Sequence, residues 1–145
     1  MKIITGNLLD QKGILCHQVN LRGIMGSGLA LQIRQKWPSA HDDYVRHCRK
    51  SAKLGDVLFS IVNDGQIVAH CFGQSEISRD HCVTAYEVYP EILKSVEDYS
   101  AVSGSPIFIP YGIGCGIAGG DWSIMLPTIK EHCPNATIVE WKESK

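Results

Sequence analysis

The stretch "IPYGIGCGIAGGDW" (109–122) places five of the chain's 14 glycines between Gly112 and Gly120. The apolar run "PIFIP" (106–110) precedes it and reads as a buried strand. A helical pattern follows, opening at Asp121, a residue type that caps helix N-termini well. Bare backbone between a strand and a helix has a physical use. Glycines let a ligand approach the main chain closely, and the helix start offers unpaired N–H groups and a positive dipole end. Phosphate is the natural guest, and a tight turn with positive φ is the plainer explanation. Gly114, Gly116 and Gly119 also satisfy G-x-G-x-x-G, with Glu140 about 20 residues on. That fingerprint opens a sheet of two βαβαβ halves. Only five residues follow Glu140, so the match is read as a decoy.

A second loop of the same kind strengthens the phosphate reading. "RGIMGSGLA" (22–30) lies between the strand pattern "GILCHQV" (13–19) and a helix with Leu29, Ile33 and Trp37 on one face. It carries Gly23, Gly26 and Gly28 but no P-loop lysine. If both preceding strands run parallel in one sheet, both loops open at the same edge, and a diphosphate fits between them. A third turn, "TGNLLD", follows the first strand, "KIIT". Its Asn7 suits either a base edge or a simple Asx turn.

The remaining pattern gives the architecture. Pro38 ends the first helix, and Ser39 with Asp42 resembles a capping box for a second. "DVLFSIV" (56–62), the turn "NDG" and "QIVAHCF" (66–72) read as a hairpin. The segment 73–83 reads as a loop. A helix then begins near Glu87 with Pro90 in its first turn. The helix after Asp121 runs through His132, with Pro127 expected to bend it or delay its start, and "ATIVEW" (136–141) is the last strand. The order β, β, α, α, β, β, α, β, α, β predicts a three-layer α/β/α domain around a mixed sheet of about six strands.

Bulk properties narrow the partners. The chain has 145 residues, which suits one domain spanning 1–145, with 14 Lys and Arg against 15 Asp and Glu. That balance lacks the basic footprint of a duplex nucleic-acid binder. The six cysteines form no C-x-x-C, and His41, His47, His70, His81 and His132 lack metal-like spacing, so no metal is expected. Free thiols inside apolar runs imply a reducing, cytoplasmic setting, and no membrane segment is legible.

Four pieces together resemble the macro domain, an ADP-ribose-binding family: "ITGNLLD" (4–10), "HQVNLRGIMGSGLALQIRQKWP" (17–38), "IVAHCFGQ" (67–74) with "YEVYPEILKSV" (86–96), and "IPYGIGCGIAGGDW" (109–122). They cover most of the chain, and the second and fourth are the specific ones. "HxxN" before the first loop and "WPSAHDDYVRHC" are most similar to small proteins that process ADP-ribose 1″-phosphate. The resemblance implies a ligand, free or macromolecule-linked ADP-ribose, and no cofactor. It puts Asn7 and Leu8 at the adenine, where the family usually has Asp in place of Asn7. It puts Asn20 at the distal ribose, Met25, Gly26, Ser27, Gly28 and Leu29 around the diphosphate, and Ile113, Gly114, Cys115, Gly116 and Ile117 opposite, giving backbone N–H groups.

For chemistry, the resemblance implies a hydrolytic role for His17, an acid or base of suitable intrinsic pKa. The plainer reading of His17 is a strand histidine hydrogen-bonded near the pocket. Asn20 stands beside it, and Asp121 reads first as a helix N-cap, a role compatible with orienting a water or the histidine. Cys115 reads either as a thiol activated near a helix start or as a small residue filling a tight loop. Ser27, Gln74 and Arg79 are polar residues within reach of a distal ribose. The family's covalent de-ADP-ribosylating branch uses a Lys after the fourth strand and an Asp in the second glycine loop. "AHCFGQ" has no Lys, and Ala118 stands at the Asp position. The alternatives are a phosphatase of ADP-ribose 1″-phosphate, a reader without turnover, and a glycohydrolase.

Overall fold

The structure, a computed structural model, describes residues 1–142. Strand β1 (Lys2–Gly6) ends in a short 3-10 turn at Leu8–Asp10, and β2 (Gly13–Val19) follows. Helices α1 (Gly28–Lys36) and α2 (Pro38–Lys50) lead to the hairpin of β3 (Val57–Asn63) and β4 (Gln66–Phe72). Then come α3 (Tyr89–Ser103), β5 (Ile107–Pro110), α4 (Trp122–His132) and β6 (Thr137–Trp141). The six strands form one sheet in the order β1-β6-β5-β2-β4-β3, parallel except for β3, which pairs antiparallel at one edge. The expected mixed sheet is therefore present, and β2 and β4 have the limits read from the sequence.

Strand alternation sorts the core into two layers. Leu15 and Val19 of β2, with Val68 and Phe72 of β4, face Ile33, Trp37, Ala40 and Tyr44 of α1 and α2. Ile14 and Cys16, with Ile67, Ala69 and Cys71, face Ile92, Leu93 and Val96 of α3 and Met125 and Ile129 of α4. The central strands are apolar on both faces because both faces are covered.

Two helix starts differ in detail from the sequence expectation. Pro38 is the first residue of α2 and Trp37 its N-cap, so Ser39 lies inside the helix and its box with Asp42 does not form. Proline's fixed φ suits that first position. Pro127 lies within α4 and does not delay its start, because the Asp121 carboxylate accepts from Ser123 N–H and begins the helix upstream.

Candidate functional site

The two glycine loops leave the sheet side by side. β2 and β5 are adjacent and parallel, with Ile14 level with Ile107 and Leu15 with Phe108. After β2 the chain turns into α1 and α2 on one face, and after β5 into α4 on the other. Neighbouring parallel strands whose continuations part to opposite faces leave a crevice at their carboxyl ends, where open α/β sheets bind ligands.

On one side of that crevice, residues 20–27 are held by the buried Asn20. Its Nδ2 donates to the Ile24 carbonyl at 2.9 Å, and its Oδ1 accepts from Arg22 N–H at 2.9 Å and from the Tyr44 hydroxyl at 2.8 Å. The amide predicted at the distal ribose thus shapes the loop first, keeping one Nδ2 hydrogen to offer. Met25 is 1% exposed and anchors the loop in the α1/α2 core. Ser27 is the N-cap of α1, yet its hydroxyl makes no capping bond. The N–H groups of Gly26, Ser27, Gly28 and Leu29 have no partner among the described residues. Such an uncapped helix start attracts anions.

On the other side, the turn of residues 111–120 uses some of its amides internally. Ile113 N–H donates to Pro110, Cys115 N–H to Gly112, and Gly120 N–H to Gly114. Gly114, Gly116, Ile117 and Ala118 keep theirs free of backbone partners among the described residues. Gly114 needs to be glycine for the protein's own sake: φ is +73°, and a Cβ would lie 2.7 Å from Gln18 Oε1. Gly116 does not: its φ is unremarkable, and a Cβ would meet nothing within 4 Å. The open space beside Gly116 is of the kind that a ligand fills.

Residues beyond the predicted set brace this loop. Thr84 Oγ1 donates to the Gly114 carbonyl at 2.6 Å and accepts from Gln18 Nε2 at 3.0 Å. Gln18 Nε2 also reaches Gln74 Oε1, and its Oε1 accepts from the buried Tyr89 hydroxyl. The only sequence signal for this brace is a glutamine inside an otherwise apolar strand. Arg79, Asp80, His81 and Cys82 form the far wall of a concavity of about 420 Å³ against Gly116, Ile117 and Gly119.

His17 is 2% exposed and faces the α1/α2 layer beside its register partner His70 on β4. Its Nε2 meets His70 Nδ1 at 2.8 Å, and His70 Nε2 meets Ser60 Oγ at 3.1 Å. His17 Nδ1 is buried without a partner. Burial, and then His70, hold His17 well below the usual histidine range, and burial pushes His70 down to about 4. Both rings are neutral at neutral pH.

The remaining predicted residues are placed as follows. Asn7 makes the Asx turn, its Oδ1 accepting from Leu9 N–H, and Leu8 is 4% exposed. Asp121 uses Oδ1 for both Ser123 N–H and Ser123 Oγ, which holds its carboxyl below the usual range, and shares no hydrogen bond with His17. Cys115 is not activated: burial, with Asp121 and Cys82 nearby, pushes its thiol up. All six cysteines are free, no His, Cys, Asp or Glu cluster among the described residues could hold a metal, and no described helix is long and apolar enough to cross a membrane.

The class is an α/β/α sandwich around a mixed six-stranded sheet, with two glycine loops at the carboxyl ends of adjacent parallel strands. The particular fold is the macro domain. A macrodomain protein from Streptomyces coelicolor superposes with a TM-score of 0.81 at 24% identity over 99% of both chains. A protein from Bacteroides thetaiotaomicron reaches 0.89 at 27% identity over 98% of this chain and 99% of its own. Thermosipho africanus DarTG, solved in complex with ADP-ribose, gives 0.77 at 16% identity over 99% of this chain and 42% of its own. By sequence, an ADP-ribose 1″-phosphate phosphatase from Meyerozyma guilliermondii is 38% identical over 56 residues. The alignment covers 36% of this chain and 32% of that relative's length. No family model matches the chain.

Proposed function

We propose that this domain binds ADP-ribose and hydrolyses ADP-ribose 1″-phosphate to ADP-ribose and inorganic phosphate. The carrying observation is the pair of unpartnered amide rows at the ends of adjacent β2 and β5. A diphosphate between them takes N–H groups of Gly26–Leu29 from one side and of Gly114, Gly116 and Ile117 from the other. Main-chain donors explain how a chain of net charge −1 holds an anion. The adenine lies at Asn7 and Leu8, and the remaining Nδ2 hydrogen of Asn20 meets the distal ribose. The partial likeness to yeast phosphatases supports the choice of substrate.

In the reaction, a water oxygen bonds to phosphorus and the bond from phosphorus to the 1″ oxygen breaks. The terminal phosphate lies near Asn20 at the carboxyl end of β2, with the neutral His17 ring buried behind it, and Asp121 keeps Oδ2 outside its helix cap to orient the water. A second reading, capture of ADP-ribose without turnover, is favoured by the absence, among the described residues, of any carboxylate or lysine bonded to His17. Phosphate release from ADP-ribose 1″-phosphate separates the two. Wild type turns over and His17→Ala loses at least roughly tenfold in kcat, about 1.4 kcal/mol of barrier. Tight binding with no phosphate release leaves the reader.

A further inference from the structure

A third loop leaves the sheet at the edge that carries the two glycine loops. β4 runs parallel to β2, with Val19 level with Phe72, so the chain after β4 emerges beside the first glycine loop. It is then tied to the second. Val83 N–H donates to the Ala118 carbonyl at 2.8 Å, and Gln74 forms a lone β-bridge with Thr84. Cys82 packs so closely on Gly119 that a Cβ there would lie 3.1 Å from the Cys82 Cα. The outer turn of this segment is pinned from within. His81 Nε2 meets Glu76 Oε1 at 3.1 Å, His81 Nδ1 meets Ser78 Oγ at 3.0 Å, and Asp80 N–H donates to Ser78 Oγ at 3.1 Å.

Arg79 sits in this turn and lines the concavity whose opposite side is Gly116, Ile117 and Gly119. Around it, His81 and Glu76 satisfy each other. The Arg79 side chain has no hydrogen-bond or ion-pair partner among the described residues, and even Asp80, which borders the same hollow, does not pair with it. A guanidinium keeps its charge at any ordinary pH and offers a planar fork of donors suited to phosphate. The free amides of the two glycine loops are used up by a diphosphate, and the remaining Nδ2 hydrogen of Asn20 by the distal ribose. A terminal phosphate adds roughly 1.5 to 2 further negative charges at pH 7. His17 is buried, and the permanent cation facing the open space is Arg79.

We propose that Arg79 is a specificity-determining residue: it meets the terminal phosphate from the wall after β4 and makes the domain prefer ADP-ribose 1″-phosphate to ADP-ribose. The proposal rests on the ADP-ribose reading above. It does not depend on turnover, because a reader and an enzyme would show the same preference.

The test is titration calorimetry of the full chain with two probes: ADP-ribose, and its non-hydrolysable 1″-methylenephosphonate, in which a methylene group replaces the 1″ oxygen. The wild type is expected to bind the phosphonate at least roughly tenfold more tightly than ADP-ribose, the gain from one charge-assisted pair. Arg79 is exposed, so Arg79→Gln should melt like the wild type. It should erase the gain and leave the affinity for ADP-ribose unchanged. Arg79→Lys, which keeps the charge but not the fork, should retain part of the gain. Equal affinities for the two probes in the wild type, a preference that survives Arg79→Gln, or an equal loss for both probes overturns the phosphate contact. No binding of either probe by the wild type fails the ADP-ribose reading and the contact with it, whereas ADP-ribose binding without the preference fails the contact alone.

Discussion

The Tyr44 hydroxyl reaches both the main-chain oxygen and the side-chain Oδ1 of Asn20, at 2.7 and 2.8 Å. A helix of the α1/α2 layer thus fixes the first residue of the first glycine loop. Tyr44→Phe removes that donor and leaves the buried Asn20 carbonyl, among the described residues, with only a long contact from Cys48 Sγ at 4.0 Å. The expected loss is about 1–2 kcal/mol of stability by urea unfolding, with weaker ADP-ribose binding because the loop relaxes. Unchanged stability contradicts the brace.

Buried neutral histidines make stability depend on acid. The pKa values of His17 and His70 are lowered in the native state, His70 to about 4, with Asp43 opposing and His47 and His41 adding to the effect of burial. Between about pH 6.5 and 4 the unfolded chain therefore binds protons that the native chain does not. Stability is full above about pH 6.5 and falls as pH drops through that window, by up to about 1.4 kcal/mol per pH unit for each ring. Urea titrations at a series of pH values check the slope, and His70→Gln should reduce it. A flat profile from pH 7 to 5 contradicts the burial account.

Thr84 is expected to matter although it lies outside the glycine loop. Its hydroxyl fixes the Gly114 carbonyl and takes a bond from Gln18. Thr84→Val keeps the shape and deletes both bonds. It should cost about 1–2 kcal/mol and weaken ADP-ribose binding by roughly tenfold, as read by calorimetry and thermal melting. Loss of stability with unaltered affinity would show that this brace does not reach the ligand.

Much of this was legible in the chain, and the limits have physical causes. The apolar runs at 13–19 and 66–72 fix β2 and β4 because strands buried on both faces read as continuous apolar segments. Asp121 marks the start of α4 because its cap is local. Sheet order is not local: nothing in "PIFIP" says that it lies beside β2, and that adjacency brings the two loops together. The resemblance to a known family supplied what propensity could not. Trp37 took the cap position expected of Ser39 because Pro38 suits the first helical turn. Which amides of 113–117 stay free depends on turn bonds such as Cys115 to Gly112, and these follow from glycine φ values that sequence does not print. Gln18, Ser60, His70 and Thr84 stand up to 71 positions from their partners, so their roles emerge only in three dimensions.

Gly116 offers the most direct test of the central claim. Its Cβ would meet nothing within 4 Å and its φ suits any residue, so Gly116→Val should melt close to the wild type. Titration calorimetry with ADP-ribose on the two proteins is the deciding measurement. The account predicts one-to-one binding by the wild type and a loss of at least roughly 100-fold in the folded variant, equivalent to about 3 kcal/mol. Equal affinities, or no heat from the wild type at millimolar ligand, would contradict a diphosphate held between the two loops.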